Sequence, residues 1–275
     1  MDDFLRDKLK PREKDGIEYG ILDNFKNNRV LFTAPHAYVK KIYLPEFGER
    51  AYVNIGDRNT GRLTRIVALH TRTAFMIPKV LRTRADPARP PDELGKGLKL
   101  FATVMGTKNK ELRTYLEIHK NRKFLHVLEK YHELISNLSP KGIICFHGMH
   151  LRREFDVLLG FGKRYEMILG KKNAFRFKKE LIEKIHDAFP EFGFRQEMKI
   201  AVSKILFTGE MNYVLAKHVI EHNKKSQKKR IGINVELNLR GRVSKDDKNL
   251  PTPEYQLACQ ILGELSIEWT RKLTS

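Results

Sequence analysis

Gly142-Ile143-Ile144-Cys145-Phe146-His147-Gly148 is the stretch on which the fold turns. Its short, unbroken apolar run is the signature of a strand buried on both faces of a sheet, and it ends on a histidine. The same pattern stands upstream in Val30-Leu31-Phe32-Thr33, which is stopped by Ala34-Pro35-His36. Proline supplies no N–H to a ladder, so the chain leaves the sheet there and delivers His36 into a loop. Two buried strands that each end on a histidine place both imidazoles where a parallel sheet opens its ligand crevice.

Between and beyond these strands the periodicity alternates. Leu63, Ile66, Val67 and Leu69 recur at helical spacing over 60–73, with Thr60 as the expected cap. Ala74 to Leu81 reads as a strand broken by Pro78, and 82–92 as a proline-rich loop. Leu116, Phe124, Leu128, Tyr131 and Ile135 predict a long helix over 110–138, closed by Ser139-Pro140. Strands are expected at 155–160, 198–206 and 231–237, and helices at 173–189, 211–222 and 253–273, the last with Thr252 as cap and Pro253 at its first position. Residues 1–29 are charged and irregular and read as an N-terminal arm, leaving 30–275 as a single domain. Such alternation predicts an α/β domain with a largely parallel sheet covered on both faces.

The chain has 275 residues, Lys+Arg 53 against Asp+Glu 33, and a formal net charge of +20. With 41% hydrophobic residues it holds ample material for a core, which excludes general disorder. The positive field suits nucleic acid, an anionic membrane surface or a small acidic molecule alike. Cys145 and Cys259 lie in apolar sequence and read as reduced core residues, and the acidic N-terminus has no apolar leader segment. No stretch approaches the ~18 apolar residues of a membrane span. The expectation is therefore a cytoplasmic protein without membrane association.

Most of the ten histidines sit in predicted helices among Lys and Glu, His132 and His218 included, and read as solvated or half-buried helix residues. His36 and His147 differ by position. A catalytic zinc takes three protein ligands from His and Asp or Glu and keeps one site open. Asp57, in Gly56-Asp57-Arg58-Asn59 directly before a helix, is the leading carboxylate, with Glu49 as the reserve. Glu236 stands in the otherwise apolar Ile231-Gly232-Ile233-Asn234-Val235-Glu236-Leu237, where an ionised acid is costly unless it has a partner or a task.

These residues carry a resemblance to the N-formylglutamate amidohydrolase family, metal-dependent hydrolases related in fold to zinc carboxypeptidases and aspartoacylases. Ala34-Pro35-His36-Ala37 resembles the family's opening strand-end Pro-His pair, Asp57 with Leu63 its acid before a helix, and His147-Gly148 its strand-end His-Gly. In order follow Arg84-Ala85-Asp86-Pro87-Ala88-Arg89-Pro90, Phe155-Asp156-Val157-Leu158-Leu159-Gly160, Phe207-Thr208-Gly209, and Asn234-Val235-Glu236-Leu237-Asn238 with Arg240. Two departures stand out: Phe146 occupies a position where the family usually has an acid, and Ala88 replaces an asparagine.

The resemblance implies a three-layer αβα fold with a mixed, largely parallel sheet, phosphorylase/hydrolase-like and zinc-exopeptidase-like. It implies one Zn2+ held by His36, Asp57 and His147, Glu236 as general base and acid, and hydrolysis by metal-activated water of the amide of a small N-acyl amino acid or similar acidic substrate. Arg89 would bind the substrate carboxylate through its planar fork, with Arg84 and Arg240 as alternatives and Asp86 orienting one of them. His150 would stand near the pocket. Two other readings remain open at this level: a nucleic-acid-binding protein, motivated by the charge and the basic run Lys224 to Arg230, and a hydrolase fold without activity. Against the first, the sequence holds no RNA-reading aromatic motif or zinc finger.

Overall fold

The computed structural model describes residues 12–43, 52–55, 57–80, 87–88, 122–149, 154–194, 197–204, 207–210 and 212–275. Among the described residues eight strands form one sheet: β1 (Arg12–Lys14), β2 (Ile17–Ile21), β3 (Val30–Thr33), β6 (Ala74–Pro78), β7 (Gly142–Met149), β8 (Val157–Gly160), β9 (Ile200–Val202) and β10 (Ile231–Asn238). Their spatial order is β1-β2-β6-β3-β7-β10-β8-β9, while β4 (Lys40–Tyr43) and β5 (Tyr52–Ile55) make a separate antiparallel pair. The central four, β6, β3, β7 and β10, run parallel. β8 lies antiparallel to β10 and parallel to β9, and β2 antiparallel to β6. The expected mixed, largely parallel sheet is thus observed, and from residue 12 the N-terminal segment adds two strands to it.

Successive residues of each central strand enter opposite cores, as the period of two requires. Val30, Phe32, Ile144, Phe146, Ile233, Val235 and Leu237 pack with helices α1 (Thr60–Thr71), α3 (Lys171–Glu191) and α5 (Pro253–Thr274). Leu31, Met76, Ile143 and Cys145 pack on the other face, against Tyr131 and Ile135 of α2 (Arg122–Leu138) and Val214, Leu215 and Val219 of α4 (213–225). Each such fully buried Leu, Ile or Phe contributes roughly 1.5–3 kcal/mol. Two helical layers on one sheet give the three-layer αβα arrangement. The odd-even split has a direct consequence for chemistry: Glu236 and His147 alternate with residues of the first core and so face the second layer.

Three local expectations are corrected. Thr60 is the first residue of α1 and not its cap; that position belongs to Asn59, held left-handed at φ 62°. Its side chain donates instead to the Arg242 and Lys248 carbonyls at 2.6 and 3.3 Å. The strand expected over 198–206 narrows to the three residues of β9, with 205–206 outside the described residues. The helix expected over 211–222 contains a π-helical turn, Ala216–Ile220. Thr252 does cap α5, accepting from the Tyr255 N–H at 3.4 Å, with Pro253 following as expected.

His132 on α2 and His218 on α4 are buried, where the sequence pattern reads them as solvated or half-buried. Their rings stack at 5.2 Å, with Nδ1 of His132 3.0 Å from Nε2 of His218. Burial, reinforced by Lys217, lowers the His132 pKa to about 3. Burial, then His132, Lys217 and Arg230, lowers that of His218 to about 3 as well. Among the described residues no helix is long and apolar enough to cross a membrane.

Candidate metal centre

β3, β7 and β10 end side by side, and their C-terminal ends build the site. Past Thr33 the chain turns at Ala34-Pro35, and the Asp57 N–H then donates to the His36 carbonyl at 2.7 Å. That bond brings the acid back to the histidine although the β4–β5 pair lies between them in sequence. Nδ1 of His36 stands 3.5 Å from Oδ2 of Asp57, and Nδ1 of His147 stands 3.7 Å from the same oxygen. The two imidazole rings meet edge to face at 5.0 Å. All three residues are buried, and their ligand atoms fall within 4.8 Å of one another.

The two histidine–aspartate separations, 3.5 and 3.7 Å, are close to those of ligands on a tetrahedral ion. Donors at about 2.0–2.1 Å from zinc, spread at tetrahedral angles, lie roughly 3.4 Å apart. Two nitrogens and one carboxylate oxygen are also a donor set that suits zinc among the divalent ions. The sequence left Asp57 and Glu49 as alternatives; Asp57 is here, and Glu49 lies outside the described residues.

Glu236 stands opposite His147 in the β10–β7 register. Asn234, two residues earlier and hence on the same face, donates to its Oε1 at 3.0 Å. Burial pushes the Glu236 carboxyl up; His147 opposes that shift, Asp57 adds to it, and the Asn234 bond and His36 again oppose. Asn212 joins the group from the start of α4. Its Nδ2 lies 2.9 Å from Nε2 of His147 and 3.2 Å from Oδ1 of Asn234, while its Oδ1 accepts from the Val214 N–H. With Nε2 engaged by Asn212, Nδ1 is the ring nitrogen left facing the acid. Phe146, the neighbour of His147 in sequence, points into the opposite core.

Sequence reasoning also missed Arg242, which is 4% exposed and sits among the strand ends. Burial lowers its pKa against the attraction of Asp57 and Glu236. Arg240, expected at the substrate, is paired with Asp156: Nη2 lies 2.6 Å and Nε 2.7 Å from Oδ1, and the Tyr255 hydroxyl donates to that oxygen at 3.1 Å. It lines a cavity of about 430 Å³ with Asp156, Met198, Lys245 and Tyr255, and neither His36, Asp57, His147 nor Glu236 belongs to that lining. Arg84, Asp86, Arg89 and His150 lie outside the described residues. The basic run partly folds onto its own helix: Lys229 donates to the Asn223 and Ser226 carbonyls, and Arg230 to the His218 carbonyl and Ser139 Oγ.

Neither family models nor curated proteins match the sequence. Among solved structures, an N-formylglutamate amidohydrolase from Ralstonia eutropha JMP134 superposes with a TM-score of 0.54 at 12% identity, over 94% of this chain and 98% of that one. The chain has the fold of that amidohydrolase. A gene product of Agrobacterium tumefaciens superposes with a TM-score of 0.55 at 10% identity, over 95% of this chain and 98% of the other. The likeness is one of fold and spans nearly the whole of each chain.

Proposed function

We propose that the chain is a zinc-dependent amidohydrolase that cleaves the C–N bond of a small anionic N-acyl amino acid. The observation that carries this reading is the convergence of His36, Asp57 and His147 beside a buried Glu236 at the ends of three parallel strands. His36 and His147, through Nδ1, and Asp57, through Oδ2, would hold the ion. When bound, it supplies a Lewis acid that polarises the amide carbonyl and acidifies water.

The residues of the chain do the rest. Glu236 takes the proton of the attacking water on a carboxylate oxygen and returns it to the leaving nitrogen, a role that suits a carboxyl held above its ordinary range. Asn234 fixes the carboxylate that makes this transfer. With Nδ1 of His147 turned to the ion, Nε2 is the ring nitrogen that meets Asn212, whose side-chain amide stands 2.9 Å away and orients the ring. Arg89, with Arg84 and Asp86 beside it in sequence, is proposed to bind the substrate carboxylate, and the net positive field draws an anion inward.

Metal content tests the reading. Wild-type protein purified under metal-replete conditions should hold zinc in one-to-one ratio, and His36→Ala and His147→Ala should not. A panel of N-formyl and other N-acyl amino acids then identifies the substrate by release of the free amine. Wild-type protein without stoichiometric metal would sink the proposal.

A further inference from the structure

We propose that Arg242 is a positioning residue whose single guanidinium holds together the three backbone segments that carry Asp57, His147 and Glu236. The inference rests on the metal reading above and concerns what gives that centre its shape.

Arg242 lies in a four-residue helical turn, Leu239–Arg242, directly after β10, with Asn238 capping the turn through its side chain. Its guanidinium turns back under the strand ends. Nε donates to the Leu237 carbonyl at 2.9 Å, Nη1 to the Arg58 carbonyl at 2.6 Å and Nη2 to the Met149 carbonyl at 3.3 Å. Leu237 follows Glu236, Arg58 follows Asp57, and Met149 follows His147 by two. One planar group therefore ties the main chain beside each of the three site residues. The Asp57 loop is gripped twice, since Asn59 Nδ2 donates to the Arg242 carbonyl at 2.6 Å while Arg242 donates to Arg58.

Two physical points make this more than incidental packing. Strand-end carbonyls that leave the ladder must find donors when buried, and a guanidinium is the side chain that offers several in one rigid plane. Lysine offers a point charge on a flexible stem and cannot reproduce the three directions. Gly148 supplies the second point. A Cβ at that position would fall within the Arg242 guanidinium, so the glycine after His147 is the space the clamp occupies. Ligand positions must hold to about half an ångström for a metal site to form, and a shared rigid anchor does that for three distant segments at once.

The test is zinc affinity, measured by competition with a chromophoric chelator, on wild type, Arg242→Lys, Arg242→Met and Gly148→Ala. Thermal midpoints are recorded on the same proteins in chelator. The control is Ile185→Ala, a core truncation on the outer helix α3 that lowers the midpoint without touching the clamp. The Arg242 variants should bind zinc roughly 10–100-fold more weakly, the range seen when a group that orients metal ligands is removed. Gly148→Ala keeps the arginine but displaces it, and should lose affinity in the same direction even if the Arg242 variants do not fold. Ile185→Ala should keep wild-type affinity, which separates positioning from a general loss of stability. Folded Arg242 or Gly148 variants that bind zinc as wild type does would overturn the clamp while leaving the metal reading intact. Wild type that binds no zinc would overturn the metal reading and the clamp with it.

Discussion

Acidification from pH 7.5 to 5 should remove about 4 kcal/mol of stability through His132 and His218 alone. Both imidazoles are buried and held neutral with pKa values lowered to about 3, chiefly by burial and then by neighbouring positive charge. In the unfolded chain a histidine titrates near 6.5. Below that value the unfolded state takes up two protons that the folded state refuses, so stability present above about 6.5 is lost as the pH falls toward about 3. At pH 5 each imidazole forfeits about 2 kcal/mol, which for the pair is a large share of the ~5–15 kcal/mol that holds a domain together. Urea unfolding followed by the fluorescence of Trp269, the single tryptophan, measures this directly. The reference is the double variant His132→Leu/His218→Leu, which keeps every other titrating group. Wild type should lose about 4 kcal/mol more than this variant across the interval. Parallel loss in the two proteins would refute the reasoning.

Glu236→Gln should retain zinc and lose roughly 10²–10⁴-fold in amide turnover, read from parallel metal analysis and amine release. Asn212→Leu removes the group on Nε2 of His147 and should weaken zinc about tenfold in the chelator assay. Thr252→Ala deletes the cap of α5 and should lower stability by about 1 kcal/mol in urea, with zinc affinity unchanged.

The strands that deliver the site were legible because they are buried on both faces and therefore read as unbroken apolar runs, as in 30–33 and 142–146. His36, His147 and Asp57 were legible because each stands where such a run, or the loop before a helix, comes to an end. Glu236 was legible as an acid that its apolar strand does not explain. Asn212 was not, because it reaches His147 from a loop 65 residues away and nothing local marks it. Arg242 and Arg240 share one short turn and differ only in direction, one under Gly148 and the other to Asp156, a distinction that depends on the path of the turn. The buried histidine pair does have a local signal: His132 lies on the apolar stripe of Leu128 and Ile135, and its burial follows from that stripe.

The slot that β10 occupies between β7 and β8 bears on synthesis. Until residues 231–238 leave the ribosome, the facing edges of β7 and β8 have no partner in this sheet. Each is an apolar row of unpaired N–H and C=O groups, the kind of edge that recruits strands from other chains. The nascent protein therefore carries two open apolar edges until the same late strand, bringing Glu236, closes both at once. A stop introduced shortly before residue 231 should yield insoluble protein rather than a folded but less stable chain.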